Sequence, residues 1–328
     1  MPADSSLLHF IQSLPKTETH LHFEGALPLE LLQRVRPEFK QPPASWAPDF
    51  KFRDFSHFDK ELLDMAFSWF TSPARYYEAA KLVFARHVAQ NVKYVETSFA
   101  SGMLEFGGLN GREVLAAIRS AVPAGLEVRV FLGIHHNGAG PMMMPVLEQA
   151  LGWQDLAGVD LHGTEDFPIE PWTAPYWEAA RKAGKYTKAH AGEFMGADFV
   201  RRILDELQPQ RIEHGVRAVE NPAVVQEIKR RGIALDMCPI SNHKLMPGVS
   251  LENHPIRRLL DAGVKVTVST DDPISFGNTI TDEYVTLAER CGFTRTELVC
   301  VARNGFEAAL LDEGQKKSWL GQLDTVRP

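Results

Sequence analysis

The feature that most constrains this chain is an alternation of two patterns. Short runs rich in apolar and β-branched residues recur between longer stretches with helical periodicity. Eight such runs can be marked: Lys16–Phe23, Val92–Phe99, Val128–His135, Leu156–His162, Tyr186–Ala191, Arg211–His214, Ile233–Met237 and Val264–Ser269. Strands that alternate with helices build a parallel sheet, because each parallel neighbour needs a crossover that returns the chain to the same edge. Several runs, such as Val264 to Val268, are nearly continuous in apolar residues, as expected of strands covered on both faces. Helices are predicted between them over Arg112–Ala121, Thr173–Ala183, Ala197–Leu207, Pro222–Arg231 and His254–Ala262, with a further helix over Arg295–Leu310. Gly184, Gly232 and Gly263 follow three of these and supply helix stops. Eight β/α units in 328 residues predict an α/β chain folded as one (β/α)8 TIM-type barrel domain over residues 1–328.

The connection after the first run is too long for a simple crossover. It holds a Pro-rich stretch over Gln41–Pro48 and then two helical patterns, Phe55–Phe70 and Pro73–Ala89. A helical insertion over residues 42–90 is therefore expected, either as a lid over a site or as structural elaboration. Its aromatic stretch, Phe52–Phe70, suits core packing or a pocket wall.

Composition excludes several classes of function. The net charge of −7 is the wrong sign for a general nucleic-acid binder. No run of about 18 apolar residues is present to span a membrane. Three widely spaced cysteines, Cys238, Cys291 and Cys300, fit a reducing compartment better than a disulfide framework. Met1 to Lys16 lacks a secretory pattern, so a cytoplasmic location is expected.

In a barrel of this type, function collects at the C-terminal ends of the strands. Four predicted strands deliver histidine or carboxylate there. The first carries His20 and His22, the fifth His190 and Glu193, the sixth Glu213 and His214, and the eighth Asp271 and Asp272. Residues i and i+2 of a strand share a face, so His20 and His22 can grip one ion. Three neutral imidazoles with one carboxylate make a sound ligand set for zinc, and Asp271 offers the carboxylate. A strand end breaks strict alternation, so Asp271 and Asp272 can face different partners. Glu193 and His214 remain as proton handlers, and spacing alone leaves their roles open. His135 and His136, at the end of the third run, read as a structural pair or as pocket residues.

Six stretches together resemble the adenosine deaminase family of the amidohydrolase superfamily: PKTETHLHFEGAL from Pro15, GVDLHGTE from Gly158, KAHAGE from Lys188, RIEHG from Arg211, CPISN from Cys238 and STDDP from Ser269. The resemblance implies one zinc ion per chain held by His20, His22, His190 and Asp271. It implies that Glu193 protonates purine N1 and that His214 orients or deprotonates the attacking water. Asp272 resembles the acceptor facing N7, Gly163 the backbone donor to N3, and Glu24 the residue that contacts the sugar. The implied reaction is hydrolytic loss of a 6-amino group from a small purine, with adenosine as first choice of substrate. Glu24 stands where adenosine deaminases carry Asp. That departure and the run from Cys238 to Leu245 lean towards adenine deaminases, whereas the run from Gly158 to Glu165 leans towards the nucleoside enzymes. A third branch acts on larger adenosine derivatives such as aminodeoxyfutalosine.

Rival chemistries lack their signatures. A two-metal barrel hydrolase bridged by a modified lysine needs that lysine at the end of the fourth strand, where His162, Gly163, Thr164 and Glu165 stand instead. The zinc deaminases of nucleic acid carry P-C-x-x-C, which this chain lacks.

Overall fold

A computed structural model describes residues 5–136 and 143–327. Eight parallel strands follow one another around a barrel: β1 (Lys16–Glu18), β2 (Val92–Ala100), β3 (Glu127–His135), β4 (Gly158–His162), β5 (Tyr186–Ala191), β6 (Arg211–His214), β7 (Ala234–Met237) and β8 (Val266–Val268). Each pairs in parallel with the next, from β1 to β8. The architecture is the predicted (β/α)8 barrel. The predicted helices are present with ends within a residue or two, and Gly184, Gly232 and Gly263 adopt left-handed φ of 76°, 68° and 79° beyond three of them.

Two differences matter for the site. The first strand is much shorter than the predicted Lys16–Phe23, because after Glu18 the backbone divides its hydrogen bonds between two neighbours. Leu21 and Phe23 pair with Ser98, through Ser98 N–H to Leu21 O at 2.9 Å and Phe23 N–H to Ser98 O at 2.8 Å. On the other side, His22 N–H donates to Asp271 O at 3.0 Å and Asp271 N–H to His20 O at 3.2 Å. These bonds, with Ser269 Oγ accepting from the N–H groups of Thr19 (3.0 Å) and His20 (3.1 Å), close the barrel between β8 and β1. The seam of the barrel is thus sewn at its C-terminal rim by the residues singled out as ligands.

The second difference lies inside. Apolar layers commonly fill such barrels, but here the inward positions carry charge. Arg211 Nη1 lies 2.7 Å from Glu96 Oε2 and 3.3 Å from Asp236 Oδ2, and Lys188 pairs with Glu213 and, at 3.5 Å, with Glu96. All are buried. Charges removed from water persist only when paired, and this network brings Glu213 and Asp160 up beneath His190.

The insertion covers the C-terminal rim. Its helix Phe55–Trp69 is capped by Asp54, whose side chain accepts from His57 N–H. Phe52 and Phe58 of the insertion form a small aromatic cluster with Phe276 and Leu245. Lys244, buried in the helix Pro239–Leu245, donates to Ser45 O and, at 2.8 Å, to Phe276 O, and Trp46 Nε1 donates to Ile274 O at 2.7 Å. These bonds tie the insertion to the segments after β7 and β8.

Candidate active site

The four predicted ligands converge. The Nε2 atoms of His20, His22 and His190 lie 3.3, 3.2 and 3.1 Å from one another, and Asp271 Oδ1 lies 3.4 Å from His20 Nε2 and 3.3 Å from His22 Nε2. Nitrogens this close cannot all be satisfied by each other, and the opposite ring nitrogens already face other partners. His190 Nδ1 faces Leu161 O at 2.9 Å, His20 Nδ1 faces Asp236 O at 3.3 Å, and His22 Nδ1 faces Ser98 Oγ at 3.4 Å. With the protons on Nδ1, three lone pairs and a carboxylate oxygen point into one small space. A tetrahedral ion bound at about 2.0–2.1 Å separates its donors by about 3.3–3.4 Å, which these distances match. The donor set fits zinc, and the partners behind each ring are the kind that orient metal-bound histidines.

Asp271 and His214 share an unusual backbone. Their φ values are +67° and +64°, a left-handed conformation uncommon outside glycine. The adjacent carboxyl groups of Asp271 and Asp272 stay close to each other and to His22. Asp271 joins the histidines, with Oδ2 accepting from Ser241 Oγ at 2.7 Å, while Asp272 lies against Gly25. A Cβ on Gly25 would sit 1.8 Å from Asp272 Oδ1, so only glycine fits there.

A pocket with about 670 Å³ of empty space, counting the solvent at its mouth, borders this tetrad. The insertion supplies one wall through Phe55, Phe58, Leu62, Leu63 and Ala66, so the aromatic stretch expected as core packing or a pocket wall is both. The polar lining holds all the remaining predicted residues: Glu24, Gly163, Glu193, His214 and Asp272. Glu193 Oε1 and Asp272 Oδ1 are buried without a hydrogen-bond partner among the described residues. Burial first, then the negative charges of Asp271 and Glu165, hold the Glu193 carboxyl well above the usual range. Burial also raises Asp272, against His22 and with the charge of Asp271. Burial lowers His214 well below the usual imidazole range. Gly163 has a left-handed φ of 88° and packs against His135, which also lines the pocket and which burial takes down to about 4. His136 is buried against Phe199 and is not among the lining residues.

Glu24, expected as a sugar contact, lines the pocket with its carboxylate already engaged by the protein. Its carboxylate is buried, accepts from Tyr76 OH at 2.8 Å and lies 3.2 Å from Ala100 N–H through both oxygens. Four further residues have roles that the spacing did not signal. Glu165 accepts from the N–H groups of Glu193 (3.0 Å), Phe194 (3.0 Å) and Met195, and so fixes the loop that carries Glu193. Ser241 holds Asp271, while Asn242 and His254 stand behind His214. Ser241 and Asn242 lay within a recognised stretch, but only the fold brings them behind β6 and β8.

An eight-stranded parallel barrel whose rim gathers three imidazoles and one carboxylate is an arrangement suited to a metal-dependent hydrolase of the amidohydrolase type. The chain belongs to the adenosine deaminase family, whose model matches residues 15–326, and is accordingly a hydrolase of C–N bonds in cyclic amidines. The adenine deaminase of Cupriavidus necator is 32% identical over 338 residues, covering 99% of this chain and 95% of that one. The crystal structure of adenine deaminase from Arthrobacter aurescens superposes with a TM-score of 0.85 at 24% identity, covering 95% of this chain and 98% of that one. An amidohydrolase from Burkholderia ambifaria with bound zinc superposes with a TM-score of 0.83 at 23% identity, covering 99% and 94%. Among the described residues no helix is long and apolar enough to cross a membrane.

Proposed function

We propose that this protein is a zinc-dependent deaminase that hydrolyses free adenine to hypoxanthine and ammonia. His20, His22, His190 and Asp271 hold the ion, which supplies an acidified water at neutral pH. Glu193, kept protonated by burial, gives a proton to purine N1 through its unpartnered Oε1, so that charge from attack at C6 collects on the ring. Asp272, also raised by burial, meets N7 as a donor in place of the acceptor role that the resemblance implies, because N7 of neutral adenine is itself an acceptor. The Gly163 N–H faces N3. Residues 1–328 act as a single domain in this reading.

The observation that carries the choice of free base is Glu24. Its carboxylate is already engaged by Tyr76 and Ala100, in a buried setting that leaves little for a sugar hydroxyl. The name of the 32% identical relative favours the same base. The open mouth of the pocket favours a second reading, adenosine or a larger derivative.

The test is ultraviolet deamination by zinc-loaded protein with adenine and adenosine side by side. Adenine is expected to lead in kcat/KM by at least about 10–200-fold, the scale that even a small difference of fit in a pocket produces. A lead for adenosine establishes the second reading instead, and no turnover of either with zinc in place points to a larger derivative.

A further inference from the structure

Behind His214 runs a buried chain of hydrogen bonds. It begins at a group that can only donate. The backbone N–H of Ile256 donates to His254 Nδ1 at 3.2 Å. A neutral imidazole has one proton, so His254 carries it on Nε2. That atom lies 3.3 Å from Asn242 Oδ1, which accepts. The amide orientation follows, because turning Asn242 over would set its NH₂ against the His254 N–H. Asn242 Nδ2 therefore donates to His214 Nδ1 at 3.1 Å. His214 Nδ1 is an acceptor, and the proton of the neutral ring sits on Nε2, the atom 3.4 Å from Glu193 Oε2 and 3.9 Å from Asp271 Oδ2. Asn242, His254 and His214 are all buried, so water does not interrupt the chain. Burial takes His254 down to about 3, in keeping with a neutral ring.

We infer that Asn242 and His254 are positioning residues that hold His214 in the tautomer protonated on Nε2, so that His214 donates to the attacking oxygen and does not take the water's proton. The tautomer follows from hydrogen-bond direction alone; the catalytic consequence rests on the deaminase reading above. Glu193 gives its proton to N1 as oxygen adds to C6, and its emptied carboxylate, beside His214 Nε2, then takes the proton that the water releases. Glu193 passes that proton to the 6-amino group, the C6–N bond breaks with loss of ammonia, and the remaining O–H proton returns to Glu193 as C6=O forms. Throughout, the His214 N–H stays aimed at the oxygen on which negative charge collects.

The experiment is long-range ¹H–¹⁵N correlation on zinc-loaded protein labelled at histidine, with the His214 signals identified by their loss in His214→Gln. The expected wild-type pattern has the proton on Nε2. Asn242→Asp keeps the shape and the acceptor for His254, but presents an acceptor to His214 Nδ1. It is expected to move the proton to Nδ1 and to lower kcat on the order of 10²–10⁴-fold, the scale of a catalytic histidine held in the wrong tautomer. Zinc content and KM are expected to stay close to wild type. A wild-type proton on Nδ1 overturns the relay, even if the variant does not fold. A shifted tautomer with undiminished kcat overturns its catalytic role. If neither adenine nor adenosine is turned over, the spectrum still decides the relay, so that a wrong substrate and a wrong relay are told apart.

Discussion

The Nε2 atoms of His20 and His190 face each other at 3.1 Å, although each ring already directs its Nδ1 at a main-chain carbonyl. Two lone pairs at hydrogen-bond distance with no proton to share are mutually repulsive. A cation bound between them, or a shared proton, removes that repulsion, and the converging donor set fits the former.

Removing the carboxylate of the tetrad therefore weakens the ion and the fold together. In Asp271→Ala, zinc affinity is expected to fall more than about 100-fold, beyond the 10–100-fold typical of losing an outer partner. Its melting temperature is expected to match that of chelator-stripped wild type. Metal analysis after dialysis, with a thermal scan, checks both. A full zinc content in this variant removes Asp271 from the ligand set.

Glu193 borders the tetrad without belonging to it. Glu193→Gln is expected to keep its zinc and lose turnover by about 10²–10⁴-fold, the usual worth of a positioned proton donor. Loss of zinc in the same variant makes Glu193 a ligand instead.

Glu165 acts through the loop that it anchors. Glu165→Ala leaves three N–H groups without their acceptor, that of Glu193 buried and those of Phe194 and Met195 partly so, at a cost of about 2–4 kcal/mol. Denaturant unfolding measures that cost. Turnover is expected to drop at least about tenfold with zinc retained, because Glu193 loses its fixed position. Wild-type kcat in a destabilised variant confines Glu165 to stability.

Lys16 provides a pH test far from the chemistry. Its ammonium is buried beneath the first helix, where Nζ donates to Ile11 O at 2.7 Å and Leu14 O at 2.8 Å. Burial, with the charge of Lys93, takes it down to about 7 from 10.5. Between those values the unfolded chain holds a proton that the folded chain has released, so stability rises with pH. Relative to Lys16→Met, the wild type is expected to gain about 2 kcal/mol between pH 7 and pH 9, at about 1.4 kcal/mol per unit. Urea unfolding of both proteins across that range measures it. A gap that stays constant or narrows shows that the two carbonyls keep Lys16 charged.

Much of this molecule was legible in one dimension. The alternation of patterns marked eight strands, and the residues at their ends named the tetrad before any geometry was known. Helix ends were also readable, since Gly184, Gly232 and Gly263 each supply a local conformation that other residues adopt at a cost. The limits of β1 were not readable. The segment after Glu18 looks like strand in sequence, but its partners, Ser98 and Asp271, are supplied by segments about 80 and 250 residues away.

What the sequence by itself determined was periodicity and the kinds of side chain on offer: a parallel barrel, a nitrogen-rich candidate ligand set and a pair of candidate proton handlers. Such properties are local, written in residues a few positions apart. The tertiary structure alone decided which atoms those side chains spend on one another. It engaged Glu24 with Tyr76 and Ala100, set Glu165 under the loop of Glu193, and ran Asn242 and His254 in behind His214. Each of these is a hydrogen bond between distant parts of the chain, and its direction depends on donors and acceptors that meet only when the barrel closes.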